Sequence, residues 1–476
     1  MSPDLRLTSA VIAGKATATA SRLLRRGGGT TAPGDVALAV DRGALRKLGA
    51  GLIDGSVLVT GTNGKTTTTG LIATAMAAAG ERVLTNRSGA NLVYGLTAAL
   101  LGDAAASGRP RSRLAVFEVD ELSLERAVVE LRPRCVVVLN LLRDQLDRSG
   151  ELQTTAGRIG DALRRLPAGS TVVFNADDPF VAWQCHELGN TVAVGIDATE
   201  HLLPGLPHAA DARSCPRCGT ALRFTRVVLG HCGDYHCDAC GFGRPQPHLT
   251  VTHLEAPALD RLHLVLNDGT DLDVAVGGVY NALNSVAAAA TCRVLGLDGD
   301  ATRRGLASFR PRFGRQETLR LYGARLRMML AKNPTGFDEV LRTLDELGGV
   351  RTYLIAINDG IADGRDVSWL WDVDFERLAR SAHRPRIIAA GRRAQDLAVR
   401  LKYAEVPAER LIAVETDPER ALRHAAGIAD AGEEIAVVPT YTAMMELRAV
   451  AERAGAAPLF WEGSSPVVAP AERPRP

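Results

Sequence analysis

Lys65 has the surroundings that specify chemistry most narrowly. It lies in Val57-Leu58-Val59-Thr60-Gly61-Thr62-Asn63-Gly64-Lys65-Thr66-Thr67, an apolar strand, a glycine turn, then Lys-Thr opening a helix. That order builds an anion site. Backbone N–H groups of the turn and of the helix N-terminus face one point, and the helix dipole favours negative charge there. Gly61, Thr62, Asn63, Gly64 and Thr67 would surround nucleotide phosphates, Lys65 would reach the terminal ones, and the Thr66 hydroxyl would ligate Mg²⁺. ATP with Mg²⁺ is the expected ligand. The alternative is an ordinary strand-to-helix turn, and the placement directly after an apolar strand argues against it.

Acids lie where further strands should end. In Phe117-Glu118-Val119-Asp120-Glu121, Glu118 would hold Mg²⁺ from across the nucleotide, unless it is a solvated strand end. The clusters Asn140-Leu-Leu-Arg-Asp144-Gln145-Leu-Asp147-Arg148 and Asn175-Ala-Asp177-Asp178-Pro179 each follow an apolar run. Open α/β sheets form their ligand crevice at such ends. A later run, Tyr353 to Ile357, leads into Asn358-Asp359-Gly360 and Asp363-Gly364-Arg365-Asp366, either a ligand- or partner-bearing loop or a solvated acidic turn.

Four of the eight cysteines form Cys215-Pro-Arg-Cys218-Gly219 and Cys237-Asp-Ala-Cys240-Gly241, two knuckles separated by 18 residues. Each places two thiolates on one tight turn, and together they make a tetrahedral sulfur site suited to structural Zn²⁺. His231 and Cys232 are near enough in sequence to leave a swapped ligand open. A nucleic-acid-binding ribbon is the rival reading. Arg213, Arg217, Arg223 and Arg226 are offset by Asp211, Asp234 and Asp238, and the formal charge of +2 gives nucleic acid no electrostatic purchase.

The elements that must position these groups are legible as patterns. Short β-branched runs at Ser56 to Thr60, Arg82 to Thr85, Leu114 to Val119, Arg134 to Asn140 and Thr171 to Phe174 alternate with helical stretches. That is an α/β chain with a mostly parallel, doubly wound sheet. The pattern stops near 205, and a hairpin follows with Leu262 to Leu266 joined to Leu272 to Val276 across Asn267-Asp268-Gly269. The helical stretch Asn281 to Val294 returns the chain to the main sheet. A second α/β unit takes its strands from Tyr353 to Ile357, Arg386 to Ala390, Leu411 to Val414 and Ile435 to Val438. The expected division is a helical segment over 1–50 with a break at Gly27-Gly28-Gly29, an ATP-binding domain over 51–315 with the ribbon inserted at 211–243, a C-terminal α/β domain over 316–462, and a disordered tail over 463–476.

At 476 residues the chain exceeds one ordinary core, and 46% hydrophobic with 23% charged residues is a globular mix. It contains no run of 18 apolar residues, and Thr8, Ser9, Lys15 and Thr17 interrupt the alanine-rich start, so neither a spanning helix nor a signal peptide is expected. The expected location is cytoplasmic, where paired cysteines bind metal more readily than they form disulfides.

The phosphate loop has Val59 where the general pattern wants glycine, and this short Gly-Thr-Asn-Gly-Lys-Thr-Thr form is the version seen in Mur ligases and folylpolyglutamate synthases. With the Glu118 strand, Asn175-Ala-Asp177-Asp178-Pro179, Gly278-Val-Tyr280-Asn281-Ala-Leu-Asn284 and Phe313-Gly314-Arg315, the chain resembles Mur ligases. Residues 140–150, the cysteine ribbon, Leu330-Ala-Lys332-Asn333-Pro334-Thr-Gly336, Asp363-Gly-Arg-Asp366-Val-Ser-Trp369 and Pro439-Thr-Tyr441-Thr442 narrow the resemblance to the MurT family, over roughly residues 50–460. Those are the ligase-like subunits of lipid II isoglutaminyl synthase, which work with the glutaminase subunit GatD. The resemblance implies a Mur ligase-like P-loop domain and a smaller Rossmann-like C-terminal domain. It implies that Asn281 and Asn284 approach adenine and Arg315 the phosphates or ribose. It also implies ATP-dependent amidation of the D-glutamate α-carboxyl of lipid II at the inner membrane face, through an acyl phosphate attacked by ammonia. This chain shows no glutaminase motif of its own, and Asp366 would complete the triad of a GatD-like partner in trans. Ordinary Mur ligases have His where Gln145 stands and a carbamylated lysine shortly after, but residues 149–160 contain no lysine. Only about 55 residues precede the loop, too few for a domain gripping a UDP-linked precursor. The alternatives are a ligase adding an amino acid and a zinc-ribbon nucleic-acid-binding ATPase.

Overall fold

The computed structural model describes residues 4–23, 31–86, 90–144, 152–208, 210–311 and 314–457. The glycine triplet at 27–29, Gln145 and Asp147, Phe313 and the tail over 463–476 lie outside the described residues.

Helices Leu5–Leu23, Ala32–Val40 and Ala44–Gly49 lead into the first sheet. Its strands are β1 (Gly55–Thr60), β2 (Val83–Leu84), β3 (Leu114–Glu118), β4 (Cys135–Val138), β5 (Thr171–Asn175) and β6 (Thr191–Ile196). After the separate hairpin β7 (Arg223–Leu229) and β8 (Cys232–His236), the sheet resumes with β9 (Leu249–Ala258), β10 (Arg261–Leu266) and β11 (Asp271–Val274). The order is β11-β10-β9-β6-β5-β4-β1-β3-β2. Pairing is parallel from β2 to β9, and antiparallel where β9, β10 and β11 form the edge. Alternation along β1 shows why an unbroken apolar run forms a central strand. Leu58 packs into the core shared with the N-terminal helices, while Val57 and Val59 face the helices Lys65–Ala78 and Tyr280–Val294 on the other side.

The second sheet contains β12 (Arg315–Leu321), β13 (Ala324–Met329), β14 (Thr352–Ala356), β15 (Arg386–Ala390), β16 (Leu411–Glu415) and β17 (Glu434–Pro439), in the order β12-β13-β17-β14-β15-β16. Only the β12–β13 pair is antiparallel.

Several expectations need correction. The strand expected over 82–85 is reduced to two paired residues, Val83 and Leu84. The stretch past 205, read as patternless, holds the β7–β8 hairpin, whose outer half is exposed and therefore lacks an apolar rhythm. Strands β6, β9, β12 and β13 were not anticipated.

Candidate functional site

β1 lies between β3 and β4, and the carboxyl ends of these three strands build the site. The loop after β1 turns at Gly61 (φ 123°) and Gly64 (φ 91°), conformations that glycine alone adopts freely. A Cβ on Gly61 would lie 2.9 Å from the backbone N and O of Asn140, and one on Gly64 would collide with Asn284 Oδ1. Asn140 clamps the loop: Oδ1 accepts from Asn63 N at 2.8 Å and Nδ2 donates to Asn63 O at 3.0 Å. Thr62 Oγ1 accepts from Leu142 N at 2.9 Å.

Lys65 opens its helix and is buried, with Nζ 2.5 Å from Gly61 O and 2.9 Å from Glu121 Oε1. Burial alone would favour the neutral amine, but Glu121 and Glu118 outweigh it and hold the Lys65 pKa above its ordinary value. Burial likewise opposes a charged Glu121, yet Lys65 and Lys332 hold its pKa below the usual carboxylate value. Both groups are charged across the neutral range. The Thr66 hydroxyl donates to Glu118 Oε2, and Asn91 Nδ2 lies 3.4 Å from Glu118 Oε1. Asn86 fixes the Glu118 backbone in both directions, at 2.9 and 2.8 Å. Thr66 and Glu118 thus present adjacent hard oxygen donors, the type Mg²⁺ prefers.

The second sheet closes the far wall. Asn63 and Asn333 exchange amide contacts at 3.3 and 3.2 Å, and Asn333 also caps the helix Pro334–Leu347 by accepting from Gly336 N at 2.8 Å. Lys332 pairs with Asp144. The cavity between the two sheets, about 360 Å³, is lined by Thr62 to Thr67, Glu118, Glu121, Asn281, Asn284, Arg315, Lys332, Glu339 and Tyr441, among others. It therefore brings together all the loop residues named from sequence except Gly61, which turns the loop just behind it. Asn281 and Asn284 are buried and bonded to each other at 2.9 Å, with Asn281 also donating to Gly277 O at 2.7 Å. Half-buried Arg315 starts β12 just after Gly314, where a Cβ would collide with Met444. Sequence reasoning gave no role to Glu121, Asn86, Asn91 or Lys332, though Glu121 and Lys332 stand in motifs it quoted.

Asp366 is set apart. It is exposed, does not line the cavity, and accepts from Ser368 N at 2.8 Å and Ser368 Oγ at 2.9 Å. The Ser368 backbone and hydroxyl bonds hold its pKa below the usual carboxylate value.

At the outer end of the β7–β8 hairpin the four paired cysteines converge, their sulfurs all within 4.8 Å of one another. Cys215 Sγ is 3.7 Å from Cys240 Sγ, and Cys218 Sγ is 3.5 Å from Cys237 Sγ. The two knuckles repeat one geometry: Gly219 N and Gly241 N each donate at 2.9 Å to the first cysteine's carbonyl, Cys215 or Cys237. His231 and Cys232 lie at the other end of β8. Five residue steps along the strand, roughly 16 Å, separate Cys232 from Cys237, too far to share its metal.

Comparison with known proteins agrees with these two halves. Residues 59–206 match the model for the Mur ligase middle domain, and 330–444 match the one for the MurT ligase C-terminal. The chain is 35% identical, over 87% of its length and 91% of the relative's, to the MurT subunit of lipid II isoglutaminyl synthase (glutamine-hydrolyzing) from Staphylococcus aureus (strain N315).

This chain belongs to the MurT family.

As a MurT-family protein it is a ligase with a Mur ligase-like α/β fold, and that family binds ATP and Mg²⁺. The relative from Streptococcus pneumoniae (strain ATCC BAA-255 / R6), bearing the same protein name, is 33% identical over 94% of this chain and 97% of its own. Among solved structures, a pseudomurein peptide ligase type C from Methanothermus fervidus superposes with a TM-score of 0.63 at 22% identity, covering 84% of this chain and 79% of the other, a likeness of fold. Among the described residues no helix is long and apolar enough to cross a membrane.

Proposed function

We propose that this chain is the ligase subunit that amidates the D-glutamate α-carboxyl of the lipid II stem peptide, working at the inner membrane face with a GatD-like glutaminase. The observation that carries this is the buried Lys65–Glu121–Glu118–Thr66 constellation, in a cavity shared by both sheets of a MurT-family chain. A carboxylate oxygen attacks the γ-phosphorus of ATP and releases ADP, and ammonia then attacks the acyl carbon, expels phosphate and loses a proton. Lys65 exchanges Glu121 for the transferring phosphoryl group, whose charge it stabilises. Mg²⁺, held by Thr66 and Glu118, supplies further neutralisation when bound. Asn281 and Asn284 brace the loop through Gly64 on the adenine side, and Arg315 serves the phosphates or ribose.

Asp366 is the acid that orients the partner's catalytic histidine. An ionised carboxylate held at an exposed turn by Ser368 supports that role, because such an acid must be charged, aimed and reachable.

Cys215, Cys218, Cys237 and Cys240 would hold a structural Zn²⁺. Bonds of about 2.3 Å to the corners of a tetrahedron put sulfurs about 3.8 Å apart, and separations of 3.5 and 3.7 Å support that fit. The expected content is one Zn²⁺ per chain, lost in Cys218→Ser. Metal analysis checks it, and retention of zinc at full affinity by that variant would refute the site.

The deciding assay follows ATP consumption by the full chain with lipid II and ammonium, then with glutamine and a glutaminase partner. Amide formation in both is expected. ATP consumption that requires an added amino acid would instead support the amino-acid-adding ligase.

A further inference from the structure

The β7–β8 hairpin has two ends, and only the outer one carries the four paired cysteines. Its inner end, the turn at residues 229–232, is driven between the two sheets. Leu229 lines the cavity and is buried. We infer that this turn is a positioning strut for the ligase site, with His231 its central residue. The inference rests on the cavity being the nucleotide site.

Three contacts carry it. Val228 O accepts from Arg342 Nη1 at 2.8 Å, and Arg342, 2% exposed, belongs to the helix that Asn333 caps. Gly230 (φ 54°) runs so close to both sheets that a Cβ would lie 2.9 Å from Thr335 Cγ2 and 3.6 Å from Leu142 Cδ2. His231 is fully buried, with Nε2 3.3 Å from Asp178 Oδ2 and its ring edge-on to Phe180. Asp178 Oδ2 also accepts from Leu141 N at 2.7 Å, and the next residue, Leu142, donates to Thr62 in the phosphate loop. The turn thus reaches the phosphate loop through Asp178 on one side. On the other it reaches the helix whose first residues close on Asn63.

Asp178, His231 and Cys232 place donor atoms within 4.8 Å of one another, which raises a second metal as the rival. The carboxylate is already used: Oδ1 caps the helix Pro179–Cys185 by accepting from Phe180 and Val181, and Oδ2 takes Leu141. Its remaining contact, with His231, is an ion pair and not a hydrogen bond, and neither ring nitrogen of His231 has a hydrogen-bond partner among the described residues, so metal content decides between the strut and a coordination shell.

The test compares KM for ATP and kcat in full-length chains supplied with lipid II and ammonium. His231→Phe keeps a buried ring and removes the contact to Asp178. Its KM for ATP is expected to rise about tenfold, the scale of coupling between charged residues in direct contact, with kcat and zinc content little changed. His231→Gln, which restores an N–H, is expected to recover most of the affinity. An unchanged KM in folded His231→Phe overturns the strut, as does zinc above one per chain that His231→Phe removes. If that variant does not fold, Arg342→Lys, which gives up the donor to Val228 O, carries the same expectation and the same refutation. Lys65→Ala is run alongside. If it binds ATP as tightly as the parent, the nucleotide reading beneath the strut falls.

Discussion

At the carboxyl rim of the first sheet, Lys65 and Glu121 lie 2.9 Å apart in a buried pair, and each holds the other charged. On the second sheet's side of the same cavity, buried Glu339 lines the wall and burial pushes its pKa up to about 7, while half-buried Asp338, off the cavity, is likewise pushed up to about 7. Arg342, 3.5 Å from Glu339, does not offset that burial. Further out on that second side, Asp366 is exposed and its pKa is lowered. The contrast is instructive because the substrates proposed for this chain are anionic. Lys65 fixes positive charge at the first rim, and Glu339, the acid facing it from the helix Pro334–Leu347, is easily neutralised. Asp366, whose pKa is lowered, lies outside the cavity. On the proposed reading, one side is arranged for ligation, the other for closing the site and receiving nitrogen.

Removing the cation breaks the comparison most severely. Lys65→Ala is expected to lower amidation about 10²–10³-fold, equally with glutamine and ammonium, while circular dichroism reports an intact fold. A difference between the nitrogen sources would mean that the first rim does more than ligate.

Gly64→Ala probes the same rim through its backbone. The positive φ and the collision with Asn284 predict a strained loop at a cost of about 1–3 kcal/mol. Its signature is a raised KM for ATP in steady-state assays, with nitrogen-source preference unaltered.

The smallest effect sharpens the second side. Between the ordinary aspartate value near 4 and its folded value of about 7, Asp338 binds more protons folded than unfolded. Its contribution to stability therefore falls as pH rises through that window and is flat above it. The Lys65–Glu121 pair behaves oppositely: its contribution is lost only as pH falls through the lowered Glu121 value or rises through the raised Lys65 value. Asp338→Asn, which still accepts from Asp374 N, is expected to melt a few degrees higher than the parent at pH 8 and equally at pH 4. Equal melting at both would show that Asp338 is not held neutral.

What the sequence disclosed was what short segments encode by themselves. The phosphate loop is specified by eleven consecutive residues, the knuckles by two five-residue turns, and β1, β4 and β5 by runs apolar on both faces. Strand β6 was hidden by Gly195, which leaves room for Arg244 and Asp177. The β12–β13 hairpin did offer a signal, since Tyr322 and Gly323 form a two-residue turn with φ of 52° and 78°. Its alternating Glu317-Thr-Leu319-Arg-Leu321 is a half-buried strand. Nothing local marked Glu121 as the partner of a lysine 56 positions away, or Asn333 as the partner of Asn63. Those pairings exist only once two sheets meet, and His231, in a segment read for its cysteines, takes its role the same way.

The most direct test of the division between ligation and nitrogen supply is Asp366→Asn, assayed as the full chain with a GatD-like glutaminase. Amidation of lipid II is measured with glutamine and with ammonium, and glutamine hydrolysis is followed in parallel. The account predicts that glutamine-dependent amidation and glutamine hydrolysis collapse, while complex formation persists and ammonium supports the parent's rate. Equal loss with both nitrogen sources, or unchanged glutamine hydrolysis, would contradict it.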